Sequence, residues 1–159
     1  MEKQHLEKIV NSLVGKAIVK EVMSLKLAVA LIQKVEEKAR EMYMRVVIAV
    51  SDASGRPVAV HCMDGAYHGS FDVALNKTYT STAFQMSTKE LSRLCQPGQD
   101  LYGLQFSNDG KVMILGGGEP LTVGDTMIGA LGVSGGTATQ DTELAAYGRA
   151  MLKEVIACL

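Results

Sequence analysis

The chain of 159 residues has no Cys-x-x-Cys pair and only three cysteines, Cys62, Cys95 and Cys158, widely spaced and odd in number. That pattern excludes a disulfide framework and reads as small apolar side chains in a reducing compartment. No run approaches the roughly 18 apolar residues of a membrane-spanning helix. The first ten residues, MEKQHLEKIV, mix acids among the apolar positions and do not read as a secretory signal. Charge of neither sign dominates, since 16 Lys and Arg against 17 Asp and Glu give a formal net charge of −1. A general nucleic-acid binder would be basic. These absences predict a cytoplasmic globular protein with no nucleic-acid and no membrane partner. A domain of this length buries about 68–70% of its extended-chain surface, so it needs no disulfide or structural metal to fold.

What is present is periodicity. Leu6, Ile9, Val10, Leu13, Val14, Ala17, Ile18 and Val22 follow helical spacing, with Lys3, Glu7, Lys8, Lys16, Lys20 and Glu21 mostly off the stripe. Residues 1–24 are therefore expected to form an amphipathic helix, for packing on the domain or another copy, or for docking elsewhere. Residues 25–159 form the domain proper. Ser24 can cap a helix over 25–43. Strands over 45–50 and 58–62 flank a turn at 51–57 and make a hairpin. Ser70 can cap a helix running to about residue 86, and Ser87 a short one over 88–94. Residues 99–110 read as loop, 112–115 as a strand, and 116–120 as a tight loop in which Glu119 is a turn residue. A buried strand over 127–133 leads into a helix over 139–159, capped by Ser134 or Thr137, with Asp141 suiting its dipole. Hairpins separated by a helix, with helices at both ends, predict an α/β (α+β) fold with an antiparallel β-sheet sandwiched by helices. Regular βαβ alternation is absent, which excludes a Rossmann-type sheet.

Few motifs bear on chemistry. Gly132-Val133-Ser134-Gly135-Gly136 fits G-x-S-x-G at a strand-to-helix junction. Its partner is missing, because His5, His61 and His68 all precede Ser134, so a small hydrolase using Ser134 is the weaker alternative. Gly116-Gly117-Gly118-Glu119-Pro120 lacks the following Lys-Ser/Thr and helix of a phosphate-binding loop. Its glycines allow a tight turn or leave room beside a flat ligand. No spacing of His and Cys fits zinc. A single histidine can still serve as an axial ligand to haem iron. Tyr67, His68 and Phe71 together make an edge for a planar, partly apolar ligand, with His68 the candidate metal ligand and His61 a second candidate.

These residues also carry a resemblance. Residues 47–52 with Gly55 and Val58-Ala59, then Met63-Asp64-Gly65-Ala66, Gly69-Ser70 and Lys77, are similar to the GlcG/HbpS family. Gly116-Gly117-Gly118-Glu119-Pro120, the run from Ile128 to Gly136, and Gln140-Asp141 extend the likeness over about residues 26–151. The same domain resembles the C-terminal part of PduO-type corrinoid adenosyltransferases. The resemblance implies a profilin-like fold, a homo-oligomer, and binding of haem or a related tetrapyrrole, with cobalamin or another corrinoid as the alternative cofactor. The resemblance does not identify the iron ligand; on chemistry alone His68 is the candidate, with Tyr67, His61, Gly117, Gly118 and Pro120 expected to line or border the ligand. The N-terminal segment resembles the short tags that direct cargo into bacterial microcompartments. The alternative function is thus a structural or cargo module, meeting a shell or enzyme partner through residues 1–22. A binding protein is expected rather than an enzyme.

Overall fold

Hydrogen-bonding side chains at the element starts set much of the architecture. The computed structural model describes residues 4–7, 9 and 22–159. Most of the expected helix over 6–22 lies outside them; residues 4–7 and 9 are helical and exposed. Ser24 Oγ accepts from Leu27 N at 3.1 Å and starts α1, Leu25–Glu41. Its apolar stripe of Leu27, Ala28, Leu31, Ile32, Val35 and Ala39 is buried at helical spacing. The first hairpin joins β1, Val47–Asp52, to β2, Pro57–Cys62. Asp52 Oδ1 closes the turn by accepting from Ser54 N, Ser54 Oγ and Arg56 N.

After a short loop come α2, Ser70–Phe84, and α3, Thr88–Leu94. Gly69, not Ser70, is the N-cap of α2, and Ser70 is its first helical residue. The second hairpin is β3, Gly118–Val123, and β4, Thr126–Ser134. The last helix is α4, Ala138–Cys158. Thr137 caps it with a capping box to Gln140, so Ser134 stays in the strand.

The strand expected over 112–115 is loop, and β3 starts later, inside the supposed tight turn. Side chains explain the shift. Met113 N donates to Thr80 Oγ1 of α2 at 2.8 Å, and Val112 packs on Leu91 and Cys95. Residues 112–115 are thus pinned to a helix rather than to a strand ladder. Glu119 is correspondingly a buried β3 residue, not a turn residue.

All strand pairs are antiparallel, in the order β2-β1-β4-β3. The helices cover both faces, which gives the expected profilin-like sandwich. On one face Ile48, Val50, Leu131 and Val133 meet α1 and α4 in the main core. On the other, Val47 and Ala49 meet Ala74 of α2. Small residues on this second face let α2 approach closely. A Cβ at Gly132 would lie 2.1 Å from Ala74 O, and one at Gly118 would lie 2.8 Å from Lys77 O. Among the described residues no helix is long and apolar enough to cross a membrane.

Candidate functional site

The site grows from the loop between β2 and α2. Met63 N donates to Val46 O, the last bond of the β2 edge, and Ala66 N then folds back to Met63 O at 2.9 Å. Gly65, at φ +79°, lies against Arg45: a Cβ there would meet the Arg45 side chain at 3.0 Å. A second turn follows, with Ser70 N donating to Tyr67 O at 3.0 Å and Phe71 N to His68 O at 3.3 Å. These bonds fix the backbone while aiming the side chains outward. Tyr67 is 75% exposed and Phe71 42%, and His68 is exposed too. Among the described residues the His68 ring makes no hydrogen bond or ion pair, leaving both nitrogens available.

Large exposed aromatics flanking a free imidazole suit a flat, partly apolar ligand that offers a metal to a nitrogen donor. Arg45, exposed and outside any ion pair among the described residues, supplies a cation beside the same loop. That is the charge an acidic edge of such a ligand would need. Sequence reasoning passed over Arg45, because nothing in local spacing links the start of β1 to Gly65.

The other expected site residues fall elsewhere. His61 pairs with Ile48 in the sheet and so faces α1, on the opposite side from α2. Its Nδ1 lies 2.7 Å from Glu36 Oε1, so it is already partnered and stands apart from His68. Gly117, Gly118 and Pro120 are buried. A Cβ at Gly117 would meet Val133 O at 2.7 Å and Lys77 Nζ at 2.9 Å, while Gly118 is filled by Lys77 O and Ser81 Oγ. The protein itself occupies the space expected for a flat ligand. These three residues belong to the packing of β3 under α2.

Lys77 is the residue they pack around. It is 1% exposed, and its Nζ donates to Val133 O at 2.7 Å and to Asp141 Oδ2 at 2.9 Å. Asp141 Oδ1 accepts from Gly136 N at 2.8 Å. Burial pushes the Lys77 ammonium below its ordinary pKa, against the pull of Asp141. The pair ties α2, the end of β4 and the first turn of α4 together. It has no open face for a substrate, so its chemistry is structural. Ser134 is 6% exposed at the same junction, with no histidine hydrogen-bonded to it among the described residues. Ser134 ends β4, buried and four residues before α4 begins, so the G-x-S-x-G match lacks both the exposed, sharply turned serine of a nucleophile elbow and the base. Glu119, on the α4 face of β3, pairs with Arg149 at 3.1 Å, and burial raises its carboxyl despite that cation.

Comparison with known proteins places this geometry. The family model of haem degrading proteins, HbpS-like, matches residues 23–150. The 15.0 kDa protein of the dhaT-dhaS intergenic region of Citrobacter freundii is 44% identical over 113 residues, 71% of this chain and 80% of that one. The corrinoid adenosyltransferase PduO of Salmonella typhimurium is 38% identical over 109 residues, 69% of this chain. The chain spans only about a third of PduO, 32% of its length. Among solved structures, a PduOC:heme complex is similar at 35% identity with a TM-score of 0.78, over 81% of this chain and 94% of that chain. The chain belongs to the HbpS-like family of haem degrading proteins.

Proposed function

We propose that this chain is a haem- or tetrapyrrole-binding protein whose planar ligand lies on the Tyr67–His68–Phe71 patch. One observation carries the reading: His68 is an exposed imidazole with no hydrogen bond or ion pair among the described residues, and it shares a hydrogen-bonded double turn with the exposed Tyr67 and Phe71. Family membership and the haem carried by the PduOC structure support it. Bound haem would supply redox chemistry at its iron. The chain's own residues do the rest. His68 offers a nitrogen donor, Tyr67 and Phe71 cover apolar ring surface, and Arg45 meets a carboxylate at the edge. An open patch covers one ligand face, and a homo-oligomer would cover the other. A corrin, also a flat macrocycle open to a nitrogen donor, is the alternative cofactor.

Haemin titration tests this directly. A saturable Soret shift is expected with the full chain, and His68→Ala should change the band position. An unchanged spectrum in wild type would remove the proposal. Parallel titration with cobalamin separates the two macrocycles.

A second reading rests on Leu6 and Ile9, which are 65% and 43% exposed. Uncovered apolar side chains at helical spacing support a docking role for residues 1–22, toward a microcompartment shell or an enzyme partner. A reporter fused to residues 1–22 should then co-assemble with shell proteins, and diffuse distribution of the reporter would count against it.

A further inference from the structure

On the sheet face opposite α2, a cavity of about 520 Å³ opens between α4 and the β3–β4 turn. That size falls within the range of small-molecule sites, roughly 300–1,000 Å³. Val123, Leu152 and Ile156 give it apolar walls, and Arg149 and Lys153 line it as well. The two cations are four residues apart on α4 and therefore share one side of the helix. Glu119 fixes Arg149 through Nη1 alone, and among the described residues the other guanidinium donors make no side-chain bond. Lys153 is exposed and forms no ion pair among the described residues. None of the lining residues is histidine, cysteine, methionine or tyrosine, which sets the cavity apart from a haem-iron site.

An apolar lining that also holds a guanidinium anchored at one nitrogen and an ammonium with no ion pair among the described residues selects one ligand chemistry. We propose that this cavity binds a small amphipathic carboxylate, with its tail along Val123, Leu152 and Ile156 and its head between Arg149 and Lys153. The head gains charge-assisted hydrogen bonds from a fork that suits carboxylate geometry, and the tail leaves water. The site is independent of the His68 patch, since the two share no residue.

The test is a methyl-resolved NMR titration of the full chain with dodecanoate, kept below its micellar concentration. Saturable shifts are expected at Val123, Leu152 and Ile156. Dodecyl maltoside, with the same tail and a neutral head, should bind at least about tenfold more weakly. Lys153→Glu should weaken dodecanoate by roughly tenfold and leave dodecyl maltoside unchanged. Absent shifts, or equal binding of the two amphiphiles, would overturn the proposal. So would contacts from the Leu13 or Ile18 methyls to Ile156 before any ligand is added, which would give the cavity to the chain's own N-terminal segment.

Discussion

The start and the middle of α2 treat polar chemistry in opposite ways. At the start, His68 and Tyr67 stand on a rigid turn with their side chains in solvent. Two turns into the helix, Lys77 is sealed from water, with its charge divided between a carbonyl and a carboxylate. Both regions carry residues of the family-like motifs in the sequence, yet one is available to a ligand and the other is filled by the protein. Burial and satisfied hydrogen bonding separate a site from a tie. Residue type does not. Lys77 makes the more chemically suggestive side chain, but its partners leave nothing for a ligand to do.

Breaking the tie should give the largest effect on stability. Lys77→Ala leaves Asp141 buried without its cation and should cost about 3–5 kcal/mol. Replacing both partners, Lys77→Met with Asp141→Leu, should recover much of that, because two apolar groups need no desolvated charge. Urea denaturation of the three variants checks the sequence of values. A single variant as stable as wild type would mean that water already reaches Asp141. Close behind comes Gly132→Ala, whose new methyl would meet Ala74 O at 2.1 Å. Backbone cannot yield as a side chain can, so α2 must shift, at about 3 kcal/mol.

The exposed region should behave in the reverse manner. His68→Ala and Tyr67→Ala should each change stability by less than about 0.5 kcal/mol, and Phe71→Ala, whose ring is 42% exposed, by about 1 kcal/mol. Their effect should appear in haemin binding, with losses of roughly fivefold for each aromatic. Equal losses of stability and binding at Tyr67 would erase the distinction between the two regions.

Much of the framework was legible in sequence because it is written in periodicity and caps. The α1 stripe, the β1–β2 hairpin and the helix over 138–158 depend on local residues. The misplaced strand at 112–115 shows the limit, since its backbone is claimed by Thr80, more than thirty residues away. The site was partly legible for the same reason. Tyr67, His68 and Phe71 are neighbours in sequence and remain neighbours in space. Arg45, the Lys77–Asp141 pair and the Glu119–Arg149 pair join distant segments, and spacing alone says nothing of them. The glycines at 117 and 118 suit either a tight turn or room beside a flat ligand, and that room holds the Lys77 side chain and the α2 backbone. Small residues announce a close approach without saying what approaches.

Glu119 offers the finest test of how burial weighs against pairing. Its folded pKa lies above the ordinary value of 4.5, because burial raises it and Arg149 only partly offsets the rise. A carboxyl shifted in this direction binds its proton more tightly folded than unfolded. Its contribution is therefore greatest at pH below 4.5, falls as the pH rises through the raised folded pKa, and is level above that. Arg149 is half exposed, so the pair returns little of the desolvation cost. Glu119→Gln should then leave stability within about 1 kcal/mol of wild type at pH 7. The difference between variant and wild type should move in favour of the variant as pH rises from 4 to 7. Urea denaturation across that range measures it. Curves that run parallel would show that solvent reaches the Glu119 carboxyl, and the contrast between sealed and open polar groups would not extend to the α4 face.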